Sequence, residues 1–183
     1  MEITTTPFKG ILLVKPDVFL DDRGYFYESF NKKKFLDINL EVNFLQDNVS
    51  KSRKGTIRGL HYQMGNKAQG KLCQVLYGRV LDVSLDLRVD SPTFGKHFSI
   101  ELSEDNHLLV WIPVGFAHGF SVLSDEVIFK YKCTNYYCKE NERTILFNDP
   151  ELNIDWKVDN PVFSQKDLMG KSFEDSKNDF FFE

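Results

Sequence analysis

Short runs of apolar residues, separated by turn residues, recur along most of the chain and predict strands. The clearest run covers residues 80–87, whose second half alternates strictly between apolar and polar side chains. The apolar side chains from Val83 to Leu87 are predicted to lie on a buried face. The polar side chains from Asp82 to Asp86 are predicted on the opposite face, as in a strand with one buried side.

Many short strands with turn signals between them favour a sandwich or a barrel over an alternating α/β fold. Two short helices are also predicted, because Asn31 and Ser164 are suitable N-cap residues for the segments that follow them. The predicted strands cover residues 8–14, 25–30, 42–49, 56–62, 72–77, 80–87, 96–102, 108–112, 117–122 and 127–134.

Composition fits one globular domain with a substantial core. The 183 residues are 42% hydrophobic and 27% charged, which is typical of a folded, water-soluble chain. The aromatic share of 14% adds to the preference for strands. We predict a single domain over residues 1–183, with the barrel core at about 40–135 and a C-terminal extension at 148–183.

Charge and cysteine content exclude several classes of protein. A formal net charge of −4 does not fit a nucleic-acid-binding protein, so a phosphorylated ligand would need a local basic pocket. The three cysteines are odd in number and form no CxxC pair, which predicts free thiols and neither a disulfide framework nor a zinc site. With no signal-peptide pattern and no long apolar stretch, we expect a cytoplasmic protein that does not bind membranes.

The histidines are the first candidates for chemistry, since Rossmann, P-loop, nucleophile-elbow and HExxH motifs are all missing from the sequence. His61 and His118 stand beside small residues in strand patterns, and small residues leave room for a ligand. Strand alternation predicts His61 and Gln63 on one face and Arg58 on the other. Each histidine is isolated, with no HxH pair, so a metal site is not predicted.

Nine ordered blocks of sequence resemble the dTDP-4-dehydrorhamnose 3,5-epimerase family. The resemblance implies a mainly all-β, cupin-like jelly-roll barrel with short peripheral helices. It also implies a homodimer with shared active sites, a dTDP-sugar substrate and no cofactor. The blocks are DRGYFYE at 22–28, QDNVS at 46–50, IRGLHYQ at 57–63, QGKL at 69–72, DVSLDLR at 82–88, SPTFG at 91–95, IPVGFAHGF at 112–120, NDP at 148–150 and SQKD at 164–167.

The activity implied by this resemblance is epimerisation at C3 and C5 of a dTDP-linked 4-keto-6-deoxyhexose. The product would be dTDP-4-dehydro-L-rhamnose, in the biosynthesis of dTDP-rhamnose for lipopolysaccharide O-antigen. A ketone at C4 makes the neighbouring C–H bonds weakly acidic, so the reaction needs a base, an acid on the opposite face and a positive group near the enolate oxygen.

The resemblance assigns four catalytic residues. His61 matches the family base, and Asp167 matches the carboxylate that orients it. Tyr131 matches the acid of the opposite face. A phenol suits this role because it is protonated at neutral pH. Lys71 matches the ammonium that stabilises the enolate.

Substrate contacts are also carried over by position. The basic residues among them would hold the diphosphate, and two aromatic residues would stack on the base. The residues from Arg23 to Glu28 are expected to come from the neighbouring subunit. One departure, Cys138 in place of a family proline, lies beside the predicted stacking residue. The substrate-binding residues are Arg23, Phe26, Glu28, Gln46, Asp47, Asn48, Arg58, Lys71, His118, Tyr137, Glu142 and Lys166.

Three other interpretations stay open on sequence alone. An epimerase that acts at C3 only or C5 only would carry the same catalytic residues. A non-catalytic cupin could bind a sugar nucleotide on the same barrel. A metal-dependent cupin oxygenase or isomerase is the third.

Overall fold

Two antiparallel sheets face each other across a shared interior in this structure, a computed structural model that describes residues 1–177 and 179–181. The strands are β1 Glu2–Thr5, β2 Leu12–Lys15, β3 Phe19–Asp21, β4 Gly24–Phe26, β5 Gln46–Arg53, β6 Ile57–Gln63, β7 Lys71–Tyr77, β8 Arg79–Asp86, β9 Arg88–Val89, β10 His97–Ser103, β11 Leu109–Ile112, β12 Phe116–Val122, β13 Glu126–Cys133, β14 Glu142–Thr144 and β15 Phe180–Phe181.

One sheet has six strands in the order β1-β2-β11-β7-β13-β5, and the other has five in the order β10-β8-β12-β6-β14. Two small pairs lie outside them. Strands β3 and β4 form an antiparallel hairpin, and β15 pairs parallel to β9. The alternation of consecutive strands between the two sheets is that of a jelly roll.

Apolar side chains from both sheets meet in the interior and close one end of the barrel. They include Val75 and Phe129 from the six-stranded sheet and Val80, Phe120 and Val122 from the five-stranded sheet. Burial of these side chains removes apolar area from water and so holds the two sheets together. The open end of the same interior is where polar side chains collect.

Each sheet is covered on its outer side by a segment from outside the central strands. Leu152 and Trp156 of the C-terminal extension, together with Ile145 just before it, pack on the five-stranded sheet. Phe35, from the helix α1 at Lys32–Leu36, packs with Leu72 of β7 on the six-stranded sheet. The central strands β7, β8, β11 and β12 are therefore largely buried on both faces.

Strand β8 shows the consequence of this double cover. Its apolar face is buried as predicted, but Asp82 and Asp86 on the polar face are also buried, at 1% and 0% exposure. The prediction that only one side of the strand is buried was wrong, because the polar face points into the barrel interior. Inside, His118 contacts Asp82, and the guanidinium of Arg88 pairs with Asp86.

The predicted helix caps are confirmed. The Asn31 side chain accepts from the backbone of Lys33 at the start of α1. Ser164 caps α2, Gln165–Leu168, and forms a capping box with Asp167. Among the described residues, no helix is both long and apolar enough to cross a membrane.

Five short strands were not predicted: β1, β3, β9, β14 and β15. They have two to four residues each, too few for a periodic pattern to be recognised. The two large sheets extend beyond residues 40–135, since β1 joins the six-stranded sheet and β14 the five-stranded one. The single-domain division stays a prediction.

Candidate active site

A bulge in the five-stranded sheet places two predicted site residues on one face. His118 of β12 lies opposite His61 of β6, and Phe120 lies opposite Arg58, so three steps on β6 match two steps on β12. The extra residue cancels the alternation between Arg58 and His61. Both side chains line one cavity, and the prediction that they lie on opposite faces was wrong for this reason.

Two glycines make this bulge sterically feasible. A Cβ on Gly59 would lie 2.4 Å from Cα of Gly119 on the neighbouring strand, and the φ angle of Gly59 is +131°. No side chain fits such a close backbone approach, and a positive φ favours glycine. The position of His61, two residues further on, depends on this contact.

A carboxylate from a distant part of the chain contacts His61. Nε2 of His61 lies 2.7 Å from Oδ1 of Asp167, although 106 residues separate them. The other oxygen of Asp167 accepts from the backbone N–H and from the hydroxyl of Ser164, at 3.1 and 2.6 Å. The capping box of α2 thereby fixes the carboxylate that faces the imidazole.

The pKa values of this pair favour a neutral imidazole beside an ionised carboxylate. Burial lowers the pKa of His61 below 6.5 and outweighs the opposing hydrogen bond to Asp167. Burial alone would raise the pKa of Asp167, but hydrogen bonds from His61 and Ser164 exceed that effect and lower it to about 2. At neutral pH His61 is thus able to accept a proton.

The facing wall belongs to the six-stranded sheet and carries a phenol and an ammonium group. Tyr131 of β13 pairs with Cys73 and with Asn48, so these three side chains form one row across β7, β13 and β5. Lys71 stands in the next row, 5.9 Å from the centre of the Tyr131 ring. Its Nζ donates to the backbone carbonyl of His61 at 3.3 Å.

Burial sets the protonation of both groups on this wall. It raises the pKa of Tyr131 to about 12, so the phenol keeps its proton throughout the ordinary pH range. It lowers the pKa of Lys71 below 10.5, because a buried ammonium loses hydration. The Lys71 side chain is only 9% exposed.

These two walls enclose a cavity of about 410 Å³. Ten of the predicted site residues line it: Gln46, Asn48, Arg58, His61, Lys71, His118, Tyr131, Tyr137, Glu142 and Lys166. The sequence interpretation did not assign five further lining residues: Ser50, Tyr62, Gln63, Gln69 and Phe120. Gln63 had a usable signal, because it was predicted on the same strand face as His61.

A network of side chains orders the cavity mouth. The backbone N–H of Tyr137 donates to Gln46, and that of Cys138 donates to Gln63, at 2.9 and 2.8 Å. Glu142 accepts from the Tyr137 hydroxyl at 3.1 Å and forms an ion pair with Lys166. The loop that holds the predicted stacking residue, Tyr137, is therefore held in place even though position 138 is cysteine and not the family proline.

Asp47 and Asp167 do not line the cavity, for different reasons. Asp167 stands behind His61 and acts on it by hydrogen bonding. Asp47 lies between two lining residues of β5, so alternation turns it to the outer face, where it accepts from Lys132 at 2.7 Å. The structure therefore does not bring Asp47 to the cavity, contrary to its assignment as a substrate contact.

The three N-terminal residues lie away from the cavity of their own chain. Arg23 lies in the turn of the β3–β4 hairpin and pairs with Asp21, and its side chain is 89% exposed. Phe26 ends that hairpin and is 66% exposed. Glu28 pairs with Lys34 of α1.

A barrel whose cavity has an imidazole–carboxylate pair on one wall and a phenol on the other is arranged for proton transfer to and from a bound molecule. Fold and site together define an acid–base isomerase on a cupin-like jelly roll. The profile of the dTDP-4-dehydrorhamnose 3,5-epimerase family matches residues 5–175. The chain belongs to that family, which confirms the predicted family, fold and enzyme class.

Individual relatives cover nearly the whole chain. It is 50% identical over 182 residues to the dTDP-4-dehydrorhamnose 3,5-epimerase of Shigella flexneri, covering 99% of each chain. The Pseudomonas aeruginosa enzyme of the same name is 48% identical, over 96% of this chain and 98% of the relative. A crystal structure of dTDP-6-deoxy-D-glucose-3,5-epimerase from Legionella pneumophila, in complex with dTDP-4-keto-L-rhamnose, superposes with a TM-score of 0.94 at 43% identity, over 100% and 98% of the two chains.

Proposed function

We propose that this protein inverts C3 and C5 of a dTDP-linked 4-keto-6-deoxyhexose and so forms dTDP-4-dehydro-L-rhamnose. The observation that carries the proposal is a single cavity with His61 and Tyr131 on facing walls and Lys71 in contact with both. The named activity of the relatives from Shigella flexneri and Pseudomonas aeruginosa supports the same substrate.

His61 is the base in this mechanism. A neutral imidazole removes the proton from the carbon next to the ketone, and its pKa, lowered by burial, keeps it neutral at pH 7. An ionised carboxylate can only accept a hydrogen bond, so the contact with Asp167 requires the proton of the neutral ring to be on Nε2. The other ring nitrogen, Nδ1, is then the basic one. The carboxylate then stabilises the imidazolium that forms.

Tyr131 and Lys71 complete the proton transfer from the opposite wall. The electron pair of the broken C–H bond moves into the ketone and gives an enolate, whose oxygen the Lys71 ammonium stabilises. The phenol of Tyr131 returns a proton to the carbon on the face opposite to His61, which inverts it. The imidazolium and the phenolate then exchange protons with solvent before the second carbon reacts.

Positive charge at the cavity mouth suits a nucleoside diphosphate. The guanidinium of Arg58 lines the cavity and is fixed through Nε, which donates to Ser52 at 3.0 Å; a guanidinium can hold phosphate oxygens with its two terminal nitrogens as a fork. Lys166 adds a second cation beside it. Tyr137, half exposed on the ordered loop, is placed to stack on the base.

The proposed active unit is a homodimer. The β3–β4 hairpin exposes four large apolar side chains, Phe19, Leu20, Tyr25 and Phe26, at 51–79%. A patch of this kind is typical of a protein interface. In a second copy of the chain, the same hairpin would bring Arg23, Phe26 and Glu28 to the cavity that they do not reach in their own chain.

We also infer a cytoplasmic location and a role in dTDP-rhamnose supply for lipopolysaccharide O-antigen. Three free cysteines, two of them buried, fit a reducing compartment.

A proton NMR time course in D₂O with dTDP-4-keto-6-deoxyglucose tests the mechanism. Wild-type protein should exchange and invert both carbons, and an enzyme specific for one carbon would exchange that carbon only. His61→Ala should abolish exchange, because it removes the proposed base from the cavity wall. Tyr131→Phe should slow completed inversion more than proton removal.

A matched control is His97→Ala, which removes a partly buried imidazole from β10 that does not line the cavity. It should exchange both protons at the wild-type rate. Equal exchange by wild type and His61→Ala would overturn the assignment of the base.

A further inference from the structure

A second histidine–carboxylate pair lies in the same cavity as the first, and the proposed mechanism does not use it. Oδ2 of Asp82 is 2.8 Å from Nε2 of His118. Asp82 is 1% exposed and His118 6% exposed, yet His118 lines the cavity wall. We propose that Asp82 is a positioning residue that holds His118 in a fixed orientation for hydrogen bonding to the sugar ring, which deepens and rests on the proposed function.

The sheet register places His118 next to the proposed base. His118 is the direct cross-strand partner of His61 on β6 and of Ser84 on β8. The three side chains therefore stand in one row across neighbouring strands and point to the barrel interior. Asp82 lies two residues before Ser84 on the same strand face. Its carboxylate therefore reaches the ring of His118 from the neighbouring row.

Hydrogen-bond chemistry fixes what the pair presents to a ligand. A carboxylate only accepts, so the contact with Asp82 requires a proton on Nε2 of His118. Nδ1 is then the ring nitrogen that remains for an oxygen of the substrate. Without Asp82 the ring is free to adopt the other tautomer or to flip, and the substrate loses a fixed contact beside the reacting carbons.

A metal ion is the competing interpretation of the same residues. One ligand atom from each of Cys73, Asp82 and His118 lies within 4.8 Å of the other two, and all three residues are buried. The Sγ of Cys73 is 3.9 Å from Nε2 of His118. The nearby Lys71 disfavours a dication, since it lies in the row next to Cys73 and its charge already interacts with Asp82.

The decisive experiment compares Asp82→Asn, His118→Ala and the double variant in the D₂O assay. Asp82→Asn should lower kcat about 10-fold to 100-fold, because a catalytic contact is misplaced. In the His118→Ala background it should cost no more than about 2-fold, because residues that act as a unit are not additive. A loss of equal size in both backgrounds would mean that Asp82 does not act through His118.

Asp86→Asn is the matched control, since Asp86 is a buried carboxylate on the same face of β8 that pairs with Arg88 outside the cavity. Measured below the melting temperature of each variant, its kcat should equal that of wild type. A fall as large as that of Asp82→Asn would assign both effects to lost packing.

Two measurements on the wild-type protein need neither a variant nor turnover. Ring ¹⁵N chemical shifts should show His118 with a proton on Nε2, and a neutral ring protonated on Nδ1 alone would overturn the proposal. Metal analysis should find less than stoichiometric zinc and iron, whereas one bound ion per chain would assign the three residues to a metal site. Absence of epimerase activity in wild type would refute the proposed function but leave these two results standing.

Discussion

Burial shifts the pKa values of three side chains of the cavity, each of which has one role in the proposed mechanism. The pKa of His61 is lowered, which leaves the imidazole neutral. The pKa of Tyr131 is raised to about 12, which keeps the phenol protonated. The pKa of Lys71 is lowered below 10.5, because a buried ammonium loses hydration.

These directions predict the pH profile of kcat/KM, which reports groups in the free enzyme. The base is lost when His61 gains a proton, so activity should fall below a midpoint lower than 6.5. The alkaline limb should have a midpoint below 10.5 and belong to Lys71, since Tyr131 ionises only near pH 12. In Lys71→Arg that alkaline limb should disappear, because a guanidinium keeps its charge.

An acid limb with its midpoint above 6.5 would contradict the lowered pKa of His61. An alkaline limb unchanged in Lys71→Arg would contradict its assignment.

At the scale of single residues, the sequence predicted which residues line the cavity better than it predicted the strand face of each side chain. His61 and Gln63 were predicted to share a strand face, and both line the cavity. Arg58 was predicted on the other face and lines it too, because the extra residue on β6 is visible only against its partner β12. A bulge is a property of two strands, so alternation within one cannot reveal it.

The helix α2 shows how a short element supports a proposed catalytic group. Its four residues bury little apolar area, but its capping box fixes Asp167 through both the backbone and the hydroxyl of Ser164. The cap was predictable from Ser164 alone. The contact between Asp167 and His61 was not predictable from local patterns, because chain folding over 106 residues creates it.

Ser164→Ala should therefore weaken catalysis as well as the helix. Loss of an N-cap costs about 1 kcal/mol of stability. Loss of the 2.6 Å hydrogen bond also leaves Asp167 less firmly oriented against His61, so kcat should fall about 10-fold. Thermal unfolding and the D₂O assay measure the two effects separately.

Ser172→Ala is the matched control for this variant. The Ser172 hydroxyl donates to Asp175 at 2.7 Å and accepts from its backbone N–H, which is the same motif at a 3₁₀ turn away from His61. It should lose similar stability at unchanged kcat. If both variants lose activity alike, Ser164 has no special connection to the base.

For the whole molecule, the C-terminal extension links the fold to the site. Trp156 and its neighbours cover the five-stranded sheet, and the same segment carries Asp167 to the back of His61. The β3–β4 hairpin is the opposite case, since Arg23 and Phe26 are exposed and do not line the cavity of their own chain.

If the hairpin serves a neighbouring subunit, two inactive variants should restore each other. Arg23→Ala impairs the donated hairpin, and His61→Ala removes the base of the receiving barrel. In a mixed dimer, the barrel with intact His61 receives an intact hairpin from its partner, and the other site carries both defects. Because half of randomly paired dimers are mixed and each has one complete site, an equal mixture should recover about a quarter of wild-type activity.

The pair His61→Ala and Tyr131→Phe is the control for this exchange. Both residues belong to the same barrel, on β6 and β13, so every site of their mixed dimer lacks one of them and no activity should return. Denaturation and joint refolding of the two variants ensure that subunits exchange. Two different affinity tags, one on each variant, verify the mixed dimers. If verified mixed dimers of the first pair stay inactive, the hairpin does not complete the neighbouring site, and its exposed aromatic side chains need another partner.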